Sequence, residues 1–209
     1  MTDPAHLVRP ESAHIEIDGT RARRPSWRTL ALHKPRGVVT TRRDPDGRRT
    51  VFDLLGEEAA GLVAVGRLDL ASSGLLLLTT DTQLANYLTD PANAIPRTYA
   101  VTVRGAVTDE RATAMVRGVA GLRATSVVVR KRSGRESHLL VVLEEGRNRE
   151  IRRMLEALGH EVTRLLRISF GPIELGRLQP GEWRTVERRE LDALCWTDRQ
   201  TRPTPRRRG

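Results

Sequence analysis

LVAVGRLDLASSGLLLLTTD, residues 62–81, is the stretch on which the reading of the fold turns. Two apolar runs, 62–65 and 75–78, have the length of strands and are too short for helices. Between them lies a loop bracketed by Gly66 and Gly74, with Asp69 at its middle and Ser72-Ser73 near its end. A carboxylate held between two apolar strands is costly to bury unless a cation or hydrogen bonds compensate. That makes Asp69 a candidate reactive acid. The plainer alternative is an aspartate that orders its own turn, with the serines as turn residues. Just beyond, Thr80 and Gln83 have the spacing of a capping box and predict a short helix over 81–89, closed by Pro91.

Working outward, strands alternate with helices on both sides. Upstream, Leu30-Ala31-Leu32 leads into Lys34-Pro35-Arg36-Gly37, a β-prone run resumes at 38–41, and Asp44-Pro45-Asp46-Gly47 marks a turn. Downstream, 98–104 alternates with Tyr99, Val101 and Val103 on one face, and a helix near 109–117 ends at Gly118. Strands follow at 126–131 and 138–144. Asn148 then stands as the cap of a helix whose Ile151, Met154, Leu155 and Leu158 recur at helical spacing before Gly159. The pattern closes with strands at 161–169 and 182–186 and a short helix to Leu194. Strands outnumber helices and often follow one another directly, which predicts an α+β domain around a mainly antiparallel or mixed central sheet flanked by helices.

Three domain segments are expected. Residues 1–26 form an arm with one alternating piece, 14–19, that can pair as a strand; 27–196 form the main domain. Residues 197–209 (TDRQTRPTPRRRG) hold five arginines, two prolines and no aliphatic side chain, so a disordered basic tail is expected there.

The chain has 209 residues with 36 basic against 26 acidic side chains, a net charge of +10, and all but two of the basic residues are arginine. Such a surface seeks polyanions. The single cysteine, Cys195, excludes an internal disulfide and a cysteine-based zinc site, and fits a reducing cytoplasm. The five histidines lack a ligand spacing, so no metal is expected. There is no Walker loop, dinucleotide fingerprint or nucleophile elbow. The start lacks a signal-peptide pattern, and no run of eighteen apolar residues exists to span a membrane.

Two further places can carry chemistry. In EEGRNREIRRMLEALG, residues 144–159, a helical wheel puts Arg152 at the edge of the apolar stripe beside Leu155, within reach of a buried site, and points Arg153 to the opposite side. Arg149 and Arg153 read as solvent- or phosphate-facing charges, and Glu150 flanks the stripe on its other side. A solvated face laced with ion pairs is the competing interpretation. Tyr99 shares its apolar strand face and is either a core residue or a group that stacks on a base or moves a proton.

Taken in order, HKPRGVVTT (33–41), GRLDLASSGLLLLTTD (66–81), RTYAVTVRG (97–105), EGRNREIRRML (145–155) and LLRISFGPIELGRLQPGEWRTV (165–186) resemble the RsuA-like family of pseudouridine synthases. The match runs collinearly over about residues 30–186. The resemblance implies a pseudouridine synthase fold with a catalytic cleft, and isomerisation of uridine in ribosomal RNA without a cofactor. It implies that Asp69 is the catalytic aspartate, Tyr99 the active-site tyrosine and Arg152 the basic residue paired with the aspartate. Lys34, Arg67, Arg147, Arg149 and Arg153 are the candidate RNA-binding residues. A cytoplasmic monomer acting on ribosomal RNA, preferentially that of the large subunit, is expected.

Many members of that family carry an N-terminal S4 RNA-binding module, for which the residues before Lys34 are too few; 15–19 can be a remnant of its last strand. His33 stands where asparagine is common, as does Thr80, and Glu150 replaces a frequent glutamine. Two rival classes remain: a non-catalytic RNA-binding or ribosome-assembly protein on the same fold, and a metal-dependent nuclease, which would need clustered carboxylates.

Overall fold

The computed structural model describes residues 16–17, 20–21 and 27–194. A small antiparallel pair, β1 (Glu16–Ile17) and β2 (Thr20–Arg21), comes first; β1 lies in the piece expected to form a strand and β2 just beyond it. The main body follows as β3 (Thr29–Lys34), α1 (Val51–Leu55), β4 (Val63–Ala64), β5 (Ser73–Thr79), α2 (Thr82–Thr89), β6 (Arg97–Arg104), α3 (Asp109–Arg117), β7 (Ser126–Arg132) and β8 (Glu136–Leu143). It ends with α4 (Glu150–Ala157), β9 (Val162–Phe170), β10 (Ile173–Glu174), β11 (Trp183–Thr185) and α5 (Arg188–Asp192). The rest of the arm, and the tail at 197–209, lie outside the described residues.

The strands β11-β3-β5-β9-β6-β8-β7 form one mixed sheet, with β4 added beside β5 and β10 beside β9. This is the α+β architecture expected, and β5 explains why. Its four leucines divide between two cores: Leu76 and Leu78 pack with residues of α1, α3 and α4, whereas Leu75 and Leu77 pack with residues of α2 and with Phe170 and Leu194. A strand covered on both faces needs an unbroken apolar run. Each such leucine contributes about 1.5–3 kcal/mol by leaving water.

β5 pairs antiparallel with β3 and parallel with β9, where Ser73 faces Leu166 and Gly74 faces Arg167. Gly74 has φ +108°, and a Cβ there would sit 2.2 Å from the Arg167 carbonyl oxygen, so only glycine lets the two backbones approach. That approach brings the Asp69 loop against β9. β9 also pairs with β6, placing Tyr99 opposite Arg167 on the same sheet face.

Several local expectations need correction. The cap of α2 is Asp81, which accepts from Gln83 N (2.9 Å) and Leu84 N (3.1 Å); Thr80 Oγ1 accepts from Arg28 N (2.9 Å) and so belongs to the sheet margin. The cap of α4 is Arg149 in a left-handed conformation, φ 50°, and not Asn148. The turn before α4 is closed from inside the helix, by Arg147 N donating to Glu150 Oε2 (3.3 Å). The β-prone run at 38–41 supplies one bridge, Val39 with Thr50, and α1 follows with a Thr50–Asp53 capping box.

Candidate active site

A cleft of about 380 Å³ opens where the β4–β5 loop, β6, β9 and the start of α4 meet. Its apolar lining includes Leu68, Tyr99, Leu143, Ile151, Leu165 and Phe170, and its charged lining includes Asp69, Arg97, Arg147, Arg149 and Arg167. The size suits one nucleotide-sized ligand.

The loop that carries Asp69 is held through its backbone. Thr40 Oγ1 donates to Leu68 O (3.0 Å), Lys34 Nζ to Asp69 O (3.1 Å) and Ser72 O (2.8 Å), Gly37 N to Leu70 O (2.8 Å), and Arg152 Nη2 to Ala71 O (3.3 Å). Every carbonyl from Leu68 to Ser72 thus accepts a hydrogen bond from another part of the chain. The Asp69 side chain, 32% exposed, is left free to face the cleft. The turn itself is closed by backbone, Ser72 N donating to Asp69 O (3.0 Å), and not through the Asp69 side chain as the plainer reading has it.

The cations fall into two sets. Arg149 Nη1 lies 4.0 Å from Asp69 Oδ2, which makes it the charge nearest the acid; its side chain is 51% exposed. Arg67 and Arg147 also line the cleft, and Arg147 is held by Glu145 (2.5 Å) and Gly121 O (3.0 Å). Arg153 is exposed on α4 outside the lining. The inner set is buried. Arg97 donates to Glu144 O (2.7 Å) and Leu88 O (2.9 Å) and lies 4.7 Å from the centre of the Phe170 ring. Arg167, 3% exposed, donates through Nε to Leu75 O (2.7 Å), while its Nη2 is buried without a partner.

Two sequence expectations change here. Lys34 is 0% exposed and its ammonium donates to Pro35 O, Asp69 O and Ser72 O, so it has no surface to offer an RNA phosphate. Burial pulls its pKa down to about 8, against the pull of Asp69 and helped by Arg167. Arg152 lies at the edge of the apolar stripe as the wheel predicts, but makes no ion pair with Asp69 among the described residues. It bridges Val162 O (3.0 Å) and Ala71 O (3.3 Å), acting as a strut between β9 and the loop. Burial lowers its pKa first, then Arg149, with the Asp69 charge opposing. Arg152 therefore acts on the acid mainly through the loop's backbone and through its field.

Tyr99 is buried on β6, with its ring in the cleft wall and its hydroxyl unbonded among the described residues. Glu150, 3% exposed, also lines the cleft; burial pushes its carboxyl upward, and Oε1 has no partner. The sequence reading missed Arg97 and Arg167 as site residues. Parity was the available signal, since Arg97 lies two residues from Tyr99 on the same strand face. Among the described residues no group of three His, Cys, Asp or Glu side chains is placed to hold a metal ion. No described helix is long and apolar enough to cross a membrane.

An apolar-walled cleft with the Asp69 carboxylate on a fixed loop, a second, buried carboxyl at Glu150, a tyrosine ring and a rim of arginines suits a flat uncharged ring on an anionic backbone. Comparison with known proteins agrees. The RNA pseudouridylate synthase family matches residues 28–157, and the chain belongs to that family. It is 43% identical over 173 residues to a ribosomal large subunit pseudouridine synthase B of Vibrio cholerae, covering 80% of this chain and 54% of that protein. It is 35% identical over 192 residues to an uncharacterized RNA pseudouridine synthase of Aquifex aeolicus, covering 90% and 77%. A crystal structure of a pseudouridylate synthase superposes with a TM-score of 0.70 at 29% identity, over 81% of this chain and 74% of the other. The chain spans about half the length of some curated relatives, 54% in Vibrio cholerae and 50% in Pseudomonas aeruginosa.

Proposed function

We propose that the protein converts uridine to pseudouridine in ribosomal RNA, with the large subunit as its target. The observation that carries this reading is the fixed loop that presents Asp69 to a cleft walled by Tyr99. In the reaction the bond from C1′ to N1 breaks, the uracil turns, and C5 bonds to the same C1′. C5 loses a proton and N1 ends with one, so reactant and product have the same formula and no electron is gained or lost. The atom balance therefore calls for no redox cofactor.

Asp69 is the catalytic residue, acting in its ionised form at the sugar. Arg149 Nη1 lies 4.0 Å from its Oδ2. Tyr99 supports the uracil ring and stands where its hydroxyl can help a proton move. The target base has to leave its stack to enter the cleft, at a cost of a few kcal/mol that is least for an already unpaired uridine. Arg67, Arg147, Arg149 and Arg153 hold the flanking phosphates. Residues 27–196 are the catalytic unit, working as a monomer in the cytoplasm.

The test is direct. Purified protein is incubated with large-subunit ribosomal RNA, and pseudouridines are mapped by carbodiimide labelling and primer extension. New stops with the wild type that are missing with Asp69→Asn support the reading; no new stop with folded wild type on either naked RNA or subunit precursors sinks it.

A further inference from the structure

Polar atoms buried in a protein nearly always have a partner, and those that do not call for a reason. Among the described residues four buried side-chain atoms lack one: Ser72 Oγ, Glu150 Oε1, Arg152 Nε and Arg167 Nη2. Three of them, all but Arg152 Nε, belong to residues that line the cleft. The wall thus carries spare hydrogen-bonding capacity of defined kinds: a carboxyl oxygen that accepts, a guanidinium N–H that donates and a hydroxyl that can donate. Glu150 stands out among them. The chemistry at the sugar does not use it, it is 3% exposed, and its other oxygen already accepts from Arg147 N (3.3 Å). A carboxyl oxygen left unfilled inside a protein is costly until a donor reaches it.

We propose that Glu150 Oε1 accepts the N3–H of the target uracil and keeps it while the ring turns, so that Glu150 both selects the base and serves as its pivot. The inference rests on the reading that the cleft receives a uridine for isomerisation. Uracil has one donor, N3–H, between two carbonyl acceptors, and the free acceptor and donors of the wall are the complement of that edge. Half a turn about the line from N3 to C6 brings C5 to the place that N1 left. It exchanges O2 with O4 and leaves N3–H where it was. A contact at N3 therefore lasts through the turn, and a donor such as Arg167 Nη2 or Ser72 Oγ meets a carbonyl oxygen both before and after it. Cytosine has no hydrogen on N3 and an amino group in place of O4. It would set a lone pair against the Glu150 oxygen and, once turned, its amino group against a donor. A site that hydrogen-bonds a substrate N–H rejects an analogue that lacks it.

The test uses fragments of large-subunit ribosomal RNA that carry uridine or N3-methyluridine at the mapped position, each tritiated at C5, so that tritium release reports loss of the C5 proton. Wild type, Glu150→Ala and Glu150→Gln are compared in single turnover at saturating protein, with melting curves to show that each is folded. Wild type should convert N3-methyluridine at least about a hundredfold more slowly than uridine. Glu150→Ala should slow uridine about tenfold or more through loss of the acceptor, and bring the two substrates within about fivefold of each other, because the methyl group then meets no carboxyl. Glu150→Gln, whose amide oxygen still accepts, should recover most of the rate that Ala loses on uridine. A wild type that converts the two substrates alike, whatever the variants do, or an Ala variant that keeps the wild-type ratio, overturns the contact while leaving the catalytic reading intact. Failure of the wild type to release tritium from uridine overturns the catalytic reading and the pivot with it.

Discussion

The loop at 68–72 and the segment at 145–149 face each other across the cleft and are built in opposite ways. In the first, five consecutive carbonyls are tied to distant parts of the chain. In the second, the arginine side chains rest on partners at the surface: Arg147 on a half-exposed Glu145 and on the Gly121 carbonyl (3.0 Å), and Arg149 on Asp69 only at 4.0 Å. Exposed pairs of that kind are worth about 0–1 kcal/mol. In the proposed reaction the acid is held in place before RNA arrives, and the arginines, on surface partners, can adjust to it. This suits an enzyme whose chemistry needs one geometry but whose substrate is a flexible polyanion.

The sharpest way to break the comparison is Asp69→Asn. The amide keeps the loop's shape and all its backbone bonds but cannot act as an ionised carboxylate. Turnover should fall at least about 10⁴-fold, on the order of 5 kcal/mol of barrier. RNA affinity in a filter-binding assay should change less than about threefold, because phosphate contacts dominate it. A mutant with near wild-type turnover would remove Asp69 from the chemistry altogether.

Next comes the strut. Arg152→Met keeps much of the packing and strips the donors from the part-buried Ala71 O and Val162 O, each costing at most about 1–3 kcal/mol. Turnover should drop by about 10- to 100-fold with KM nearly unchanged, and combining the change with Asp69→Asn should add little. If KM rises and kcat holds, Arg152 is an RNA contact instead of a brace for the loop.

A smaller effect is expected on the other wall. Arg147→Ala and Arg149→Ala should each reduce the slope of log K against log salt by about 0.7–0.9, the value for one phosphate contact. Unchanged slopes would take these arginines off the RNA. Lys34→Met should leave the slope as it is and lower the melting temperature, since the Lys34 ammonium bonds only carbonyls of its own chain.

The smallest expected effect concerns Glu150. Its carboxyl is pushed above the ordinary glutamate value of 4.5, chiefly by burial. The folded state therefore holds that proton more tightly than the unfolded chain does. The associated stability is present below 4.5 and is lost as pH rises through the folded-state pKa. Glu150→Gln does not titrate, so its melting temperature should exceed that of the wild type near pH 7, with the gap closing toward pH 4. Parallel melting curves across that range would show that Glu150 carries no such penalty.

Much of this was legible in the chain. The leucine run at 75–78, the alternation at 98–104 and the helical spacing of Ile151, Met154 and Leu155 are short-range patterns, and each became the element it predicted. The resemblance pointed to Asp69 and Tyr99, and both line the cleft. The caps of α2 and α4 each slipped by one residue: at α2 the Asp81 carboxylate, not Thr80, reaches the free N–H groups, and at α4 the left-handed Arg149 starts the helix with no side-chain cap bond.

The sequence by itself determined the class of fold, the family and the loop that carries the acid. Only the tertiary structure decided where the charges go: that Lys34 is spent inside the protein, that Arg152 braces a backbone while Arg149 lies nearest Asp69, and that Arg97 and Arg167 stand buried behind the cleft. The physical reason is that apolar periodicity is local, so it can be read along the chain. Burial of a cation depends on carbonyls that other strands and loops supply. Lys34 finds Asp69 and Ser72, and Arg167 finds Leu75, only once β3, β5 and β9 lie side by side.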